Sequence, residues 1–145
     1  MNGSPKSVCT TRGLILTRLD TYGNPAIRHD QRCGDACDHY NRIDEDIGLM
    51  KDLGVKGYRF SIEWSRIEPN RDEYDQDAID HYHYEIDQLL ASGIQPMVTI
   101  HHFSQPKWFD KLGGFEQETN IPYFLNYAVK IFEEYSDKVQ MWCTF

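Results

Sequence analysis

The sequence predicts an α/β fold with a parallel sheet, and three observations carry that expectation. Segments of helical periodicity alternate with short runs rich in aromatic and β-branched residues, in the order helix, strand, helix, strand, helix, strand. The helices are long enough to serve as crossovers, so successive strands pair in parallel through right-handed connections. The loops after the strands are long and those after the helices short. In barrels of eight strand-helix units the chemistry sits in the loops after the strands, so the asymmetry points to that face.

Taken in order, residues 1–39 are loop-rich and poorly patterned. "GLILTRL" is a candidate short strand, and "TYGNPAIRHDQRCGDA" reads as loop from its Gly, Pro and Asn. "RIDEDIGLMKDLG" places Ile43, Ile47, Met50 and Leu53 on one helical stripe, with acids in the first turn and Gly54 as the stop. The "DED" run reads as a solvated helical turn rather than a catalytic pair. "KGYRFSIEW" is the first strand and "RIEPNRDEYD" a loop. The second helix, "DQDAIDHYHYEIDQLLASG", carries Ile79, Tyr82, Ile86, Leu89 and Leu90 as its stripe, Asp75 as cap and Gly93 as terminator. "QPMVTIHH" is the second strand and "FSQPKWFDKLGGFEQ" a long loop. A third helix runs from about Ile121 to Tyr135, with Pro122 in its first turn and Phe124, Ala128, Ile131 and Tyr135 on one face. "KVQMWCTF" is the third strand. The strands look apolar on both faces, which fits helices on one side and further protein on the other.

Composition narrows the function. The chain has 145 residues, room for one ordinary domain, and a formal net charge of −8 that argues against nucleic acid or an anionic membrane surface as partner. Its apolar runs are too short to span a membrane, and "MNGSPKSVCTTRG" lacks the apolar core of a secretion signal, so a cytoplasmic protein with reduced thiols is expected. A four-ligand metal site could be drawn from His29, Cys33, Cys37 and His39, but "CGDAC" has no common zinc spacing, and no metal is expected. His81 and His83 stand two apart on a helix, do not share a face, and are rejected as a chelate.

Four sets of residues remain as chemistry. Arg59 lies inside a strand, where its guanidinium needs a carboxylate or another strong acceptor, either to hold the sheet or to serve a site. His101 and His102 end the second strand and point to opposite faces, one packed and one open to a site at the strand's carboxyl end. Glu63 is the carboxylate embedded in a strand, so it is either paired or near a site. Trp64, Phe103, Trp108 and Phe115 are suited to stacking on sugars or, equally, to packing. Phosphate loops and serine elbows are missing from the sequence.

"GDACDHYNRIDEDIGLMKDLGVKGYRFSIEWSRIEP", "GIQPMVTIHHFSQPKWF", "GGF" and "VQMWCTF" together resemble the N-terminal part of glycoside hydrolase family 1, the β-glucosidase-like enzymes, from about Pro25 to Phe145. The resemblance implies part of a (β/α)8 TIM barrel over residues 40–145, about three parallel strands and three helices that do not close. It implies retaining β-glycosidase chemistry without a cofactor, acting on a β-glycoside or monosaccharide. By position, Arg59 resembles the arginine that bonds the nucleophilic glutamate, and His102 the histidine that binds sugar hydroxyls. Phe103 stands where many members carry a tryptophan, so an indole hydrogen bond to sugar is lost. In the family an Asn-Glu-Pro follows the strand that matches "MWCTF", and its glutamate is the general acid/base. That glutamate and the nucleophile are both expected beyond Phe145, so no catalytic carboxylate is assigned within the chain. Residues 1–24 do not match the family's usual opening strand, whose glutamine binds the same sugar. Retaining hydrolysis takes two carboxyl groups about 5–5.5 Å apart, so the chain alone is expected to be inactive. The rival expectation is a non-catalytic remnant that binds sugar or docks through open sheet edges, by self-association or onto another protein.

Overall fold

The computed structural model describes residues 36–145. The strand candidate "GLILTRL" and the ligand candidates His29 and Cys33 lie outside them. Helix α1 (Ile43–Asp52) leads to strand β1 (Gly57–Ser61) and a one-turn helix α2 (Trp64–Ile67). Helix α3 (Gln76–Ala91) then precedes β2 (Gln95–Thr99), α4 (Lys107–Lys111), two 3-10 turns, α5 (Ile121–Tyr135) and β3 (Met141–Cys143). The strands form one parallel sheet in sequence order, β1-β2-β3, as the crossover argument requires. Among the described residues the sheet is not closed.

The local signals act where the sequence places them. The Asp75 side chain accepts from Ala78 N at the start of α3, and Gly54 and Gly93 take positive φ (73° and 70°) after their helices. Pro122 sits in the first turn of α5. Two stripes are narrower than the pattern suggests: Leu53 is 82% and Leu90 38% exposed, because each falls at a helix end where the chain turns off the core. β1 is also shorter than "KGYRFSIEW". The Glu63 side chain accepts from Ser65 N and caps α2, which turns Trp64–Ile67 into helix instead of strand or loop. The "DED" run is a helical turn open to solvent, as expected, with local partners: exposed Asp44 accepts from the Tyr84 hydroxyl, exposed Glu45 from Arg42, and Asp46 faces His39.

Register explains the two faces of the sheet. Phe60, Val98 and Trp142 are aligned across the three strands, and this face lies under the helices, with Phe60 and Val98 buried. Trp142 packs against the Phe132 ring of α5 at a tilt of 31°. The core beneath includes Trp64, Ile67, Ile79, Ile86, Leu89, Phe109, Tyr127, Ile131 and Tyr135. The opposite face carries Arg59, Met97 and Met141 in one row and Ser61, Thr99 and Cys143 in the next. Arg59 is exposed on it and both methionines are partly so.

Candidate functional site

The sequence candidates lie on β1, on β2 and in the loops that leave their carboxyl ends, and no contact joins Arg59 to His102. Arg59 stands on the open face of β1. Among the described residues its hydrogen-bond contact is a weak one to Cys143 Sγ at 4.0 Å, and no carboxylate meets it there. The acceptor expected from a strand arginine is therefore not supplied by residues 36–145. Its planar array of donors faces solvent, free to take a carboxylate in bidentate fashion.

The histidine pair divides as alternation requires. His101 is 7% exposed and packs edge-on against Phe115, Phe124 and Phe145, while His102 is exposed and touches the Phe103 ring at 5.1 Å. Neither ring nitrogen of His101 has a hydrogen-bond partner among the described residues. Burial lowers its pKa, so the imidazole is neutral at pH 7.

Phe103 takes a φ of 64° and is 79% exposed. An aromatic residue held in the left-handed region is strained, and such strain gathers at functional loops. Phe103 lines a cavity of about 540 Å3 with His101, Gln105, Asp110, Phe115 and Glu116. Its wall is set by the turn at Gly113 and Gly114, whose φ values are 94° and 52°; a Cβ on Gly114 would lie 2.8 Å from Gln105 Nε2. Asn120, itself buried, donates to Leu112 O and Gly114 O and pins the turn. Aromatic faces beside carboxylates and an amide suit a polyhydroxylated ring, whose C–H face stacks and whose hydroxyls donate.

Glu63 is not paired to a strand neighbour. Its Oε1 accepts from Ser65 N (3.1 Å) and Ser65 Oγ (2.7 Å), and its Oε2 accepts from Ser104 Oγ at 2.5 Å. Of the aromatic candidates, Trp64 is 1% exposed and donates to Glu68, while Trp108 is half-buried and donates to Glu68 O. Both are packing residues. Phe103 and Phe115 are the ones that face the cavity.

The rejected pair stays apart: His81 stacks on Tyr40 at 3.4 Å, and His83 meets Glu134 and Tyr135. His39, one of the conceivable metal ligands, is held instead by Asp46 (2.5 Å) and the buried Glu85 (3.1 Å). Cys37 is exposed and free.

Two residues that position the site are not apparent from pattern alone. The buried Tyr127 hydroxyl lies within donating distance of Ile62 O (3.2 Å) and Ile100 O (3.0 Å), joining the ends of β1 and β2. The Tyr82 hydroxyl meets Glu63 N at 3.1 Å. On a helical stripe a tyrosine reads as one more apolar residue, and its hydroxyl partner is visible only once helix and sheet are packed.

Comparison with known proteins agrees with this geometry. Residues 11–145 match the model for glycosyl hydrolase family 1. Human lactase/phlorizin hydrolase is 43% identical over 136 residues, 91% of this chain and 7% of that protein. Beta-glucosidase A of Thermotoga maritima is 38% identical over 145 residues, 99% of this chain and 32% of that protein. Among solved structures, a beta-glucosidase from Exiguobacterium marinum superposes with a TM-score of 0.79 at 40% identity, over 82% of this chain and 27% of that one. The Thermotoga maritima beta-glucosidase in complex with deoxynojirimycin gives 0.77 at 41%, over 81% and 27%. The chain thus spans a third or less of these relatives, and its unclosed three-stranded sheet is part of a TIM barrel. With motif order, register and superposition in agreement, the chain belongs to glycosyl hydrolase family 1.

Proposed function

We propose that these residues serve the hydrolysis of β-glycosides by a retaining mechanism, as the first strand-helix units of a longer glycosidase. One observation carries the reading: Arg59 and His102 stand exposed on β1 and just past the end of β2, with no carboxylate partner among the described residues. In this reading His102 bonds sugar hydroxyls, Phe103 contributes an apolar face to the same ring, and Arg59 holds the nucleophilic carboxylate. No cofactor takes part. Free thiols at Cys37 and Cys143 support a cytosolic location.

The 145 residues alone do not turn substrate over. A retaining glycosidase needs a nucleophile and a proton donor about 5–5.5 Å apart. Glu63, the carboxylate nearest the strand ends in sequence, already accepts hydrogen bonds at both oxygens. An aryl β-glucoside assay on the purified chain tests this: no release of the aryl group is expected, and sustained release would overturn it. The sugar-binding half is tested by titrating deoxynojirimycin while following tryptophan fluorescence. A saturable change is expected in the millimolar range or below, abolished by His102→Ala; a flat titration refutes it.

A second reading, self-association, is favoured by the outer face of α5. Leu125, Val129 and Phe132 are about half exposed there and line an apolar groove with Ile100 and Ala128. Strand β3 beside them has no neighbour on its far side among the described residues, which leaves unpaired backbone groups.

A further inference from the structure

We infer that Glu63 is a positioning residue that sets the sugar-facing loop after β2; the inference rests on the sugar-binding reading of His102 and Phe103. Glu63 follows β1, whereas His102 and Phe103 follow β2, and Ser104 is the next residue along. The Ser104 hydroxyl donates to Glu63 Oε2 at 2.5 Å, so one carboxylate bridges the two strand ends. The other oxygen takes Ser65 N and Ser65 Oγ, which fixes the carboxylate plane against the first turn of α2. The main chain of Glu63 is itself anchored: its N–H donates to the hydroxyl of Tyr82, a residue buried on α3. The clamp therefore reaches from the helical layer, through Glu63, to the loop.

The loop needs such a clamp. Phe103 lies between His102 and Ser104 with φ at 64°, and its exposed ring has little packing to hold it there. A bulky residue leaves the left-handed region readily unless neighbouring contacts over-determine it. On one side His101 is packed among Phe115, Phe124 and Phe145. On the other, Ser104 is held by Glu63. Between these two fixed points His102 and Phe103 are presented outward as a unit. A hydrogen bond to a charged acceptor is strong enough to offset a strained residue's preference for other backbone conformations. Glu63 touches no reacting atom in this arrangement. It acts through the placement of its neighbours.

Glu63→Ala and Ser104→Ala test the inference in the intact 145-residue chain, with circular dichroism confirming that each variant folds. Backbone order at His102, Phe103 and Ser104, read as 15N order parameters by NMR, is expected to fall from the rigid range of about 0.85 to below about 0.6 in both variants. Exchange at Ser65 should rise only in Glu63→Ala. Deoxynojirimycin affinity should fall by about tenfold in both. The double variant should be no worse than either single one, as residues of one clamp are not additive. Glu63→Gln, which keeps an acceptor oxygen, should restore part of the loop order and of the affinity. Unchanged order parameters at 102–104 in Ser104→Ala overturn the inference, and so does loop loosening that leaves affinity untouched. If the unsubstituted chain fails to bind deoxynojirimycin, the sugar-site reading falls and takes the ligand role with it. The order parameters then still decide whether Glu63 sets the loop.

Discussion

At the scale of single residues, His39 offers the clearest pH dependence. Hydrogen bonding to Glu85, aided by Asp46 and opposed by burial, raises its pKa from 6.5 to about 9. A histidine whose folded pKa exceeds its unfolded one stabilises the fold fully below about pH 6.5 and loses that contribution as pH rises through 9. With one pKa unit equal to about 1.4 kcal/mol and the ring partly open to solvent, the loss should be about 2 kcal/mol. The urea midpoint is expected to fall between pH 6.5 and 9, and the slope to flatten in His39→Asn; an unchanged slope would show that other groups produce it. Tyr127→Phe removes a hydroxyl shared by two buried carbonyls, Ile62 O and Ile100 O. The cost should be about 1–3 kcal/mol by chemical denaturation, since the one hydroxyl proton serves a carbonyl in a buried join that is left without it.

Elements show how local signals are obeyed or overridden. Asp75 caps α3 as its position suggests, and Asp75→Ala should cost about 1 kcal/mol in a denaturation experiment. Glu63 has the same chemistry at the start of α2, but a strand-like sequence around it hides the cap. The loop after β2 carries the strain. Phe103→Gly removes a left-handed aromatic that contacts little of the core, releasing about 1–2 kcal/mol against up to about 1 kcal/mol of backbone entropy. Stability should hold or rise slightly, and a loss above about 1 kcal/mol would show that the Phe103 ring packs more than its exposure implies.

For the whole molecule, the open sheet is the governing fact. β3 pairs on one side only among the described residues, and the α5 face beside it is apolar. Self-association should appear in sedimentation at tens of micromolar, and Leu125→Glu with Phe132→Glu should return the chain to a monomer. A wild-type chain that stays monomeric would remove this second reading. The same openness leaves Arg59 solvated, where a closed barrel would bury it beside whatever lined its interior.

Alternation of helical and strand patterns determined the parallel three-stranded sheet, because crossover length and handedness leave few topologies. It also set the caps at Asp75, Gly54 and Gly93, where one residue's conformational preference decides the outcome, and the opposite fates of His101 and His102, which follow from a period of two. Family membership was legible from "YRFS", "HHF" and "MWCTF" read together. Packing alone decided what the carboxylates and hydroxyls do: Glu63 as a clamp instead of an ion-pair partner, Tyr127 as the join between strand ends, Asp44 and Asp46 as paired acids. Phe103 became left-handed for the same reason. Secondary structure answers to short-range periodicity, whereas a polar side chain takes the partner nearest in space, and that distance exists only after the chain has folded.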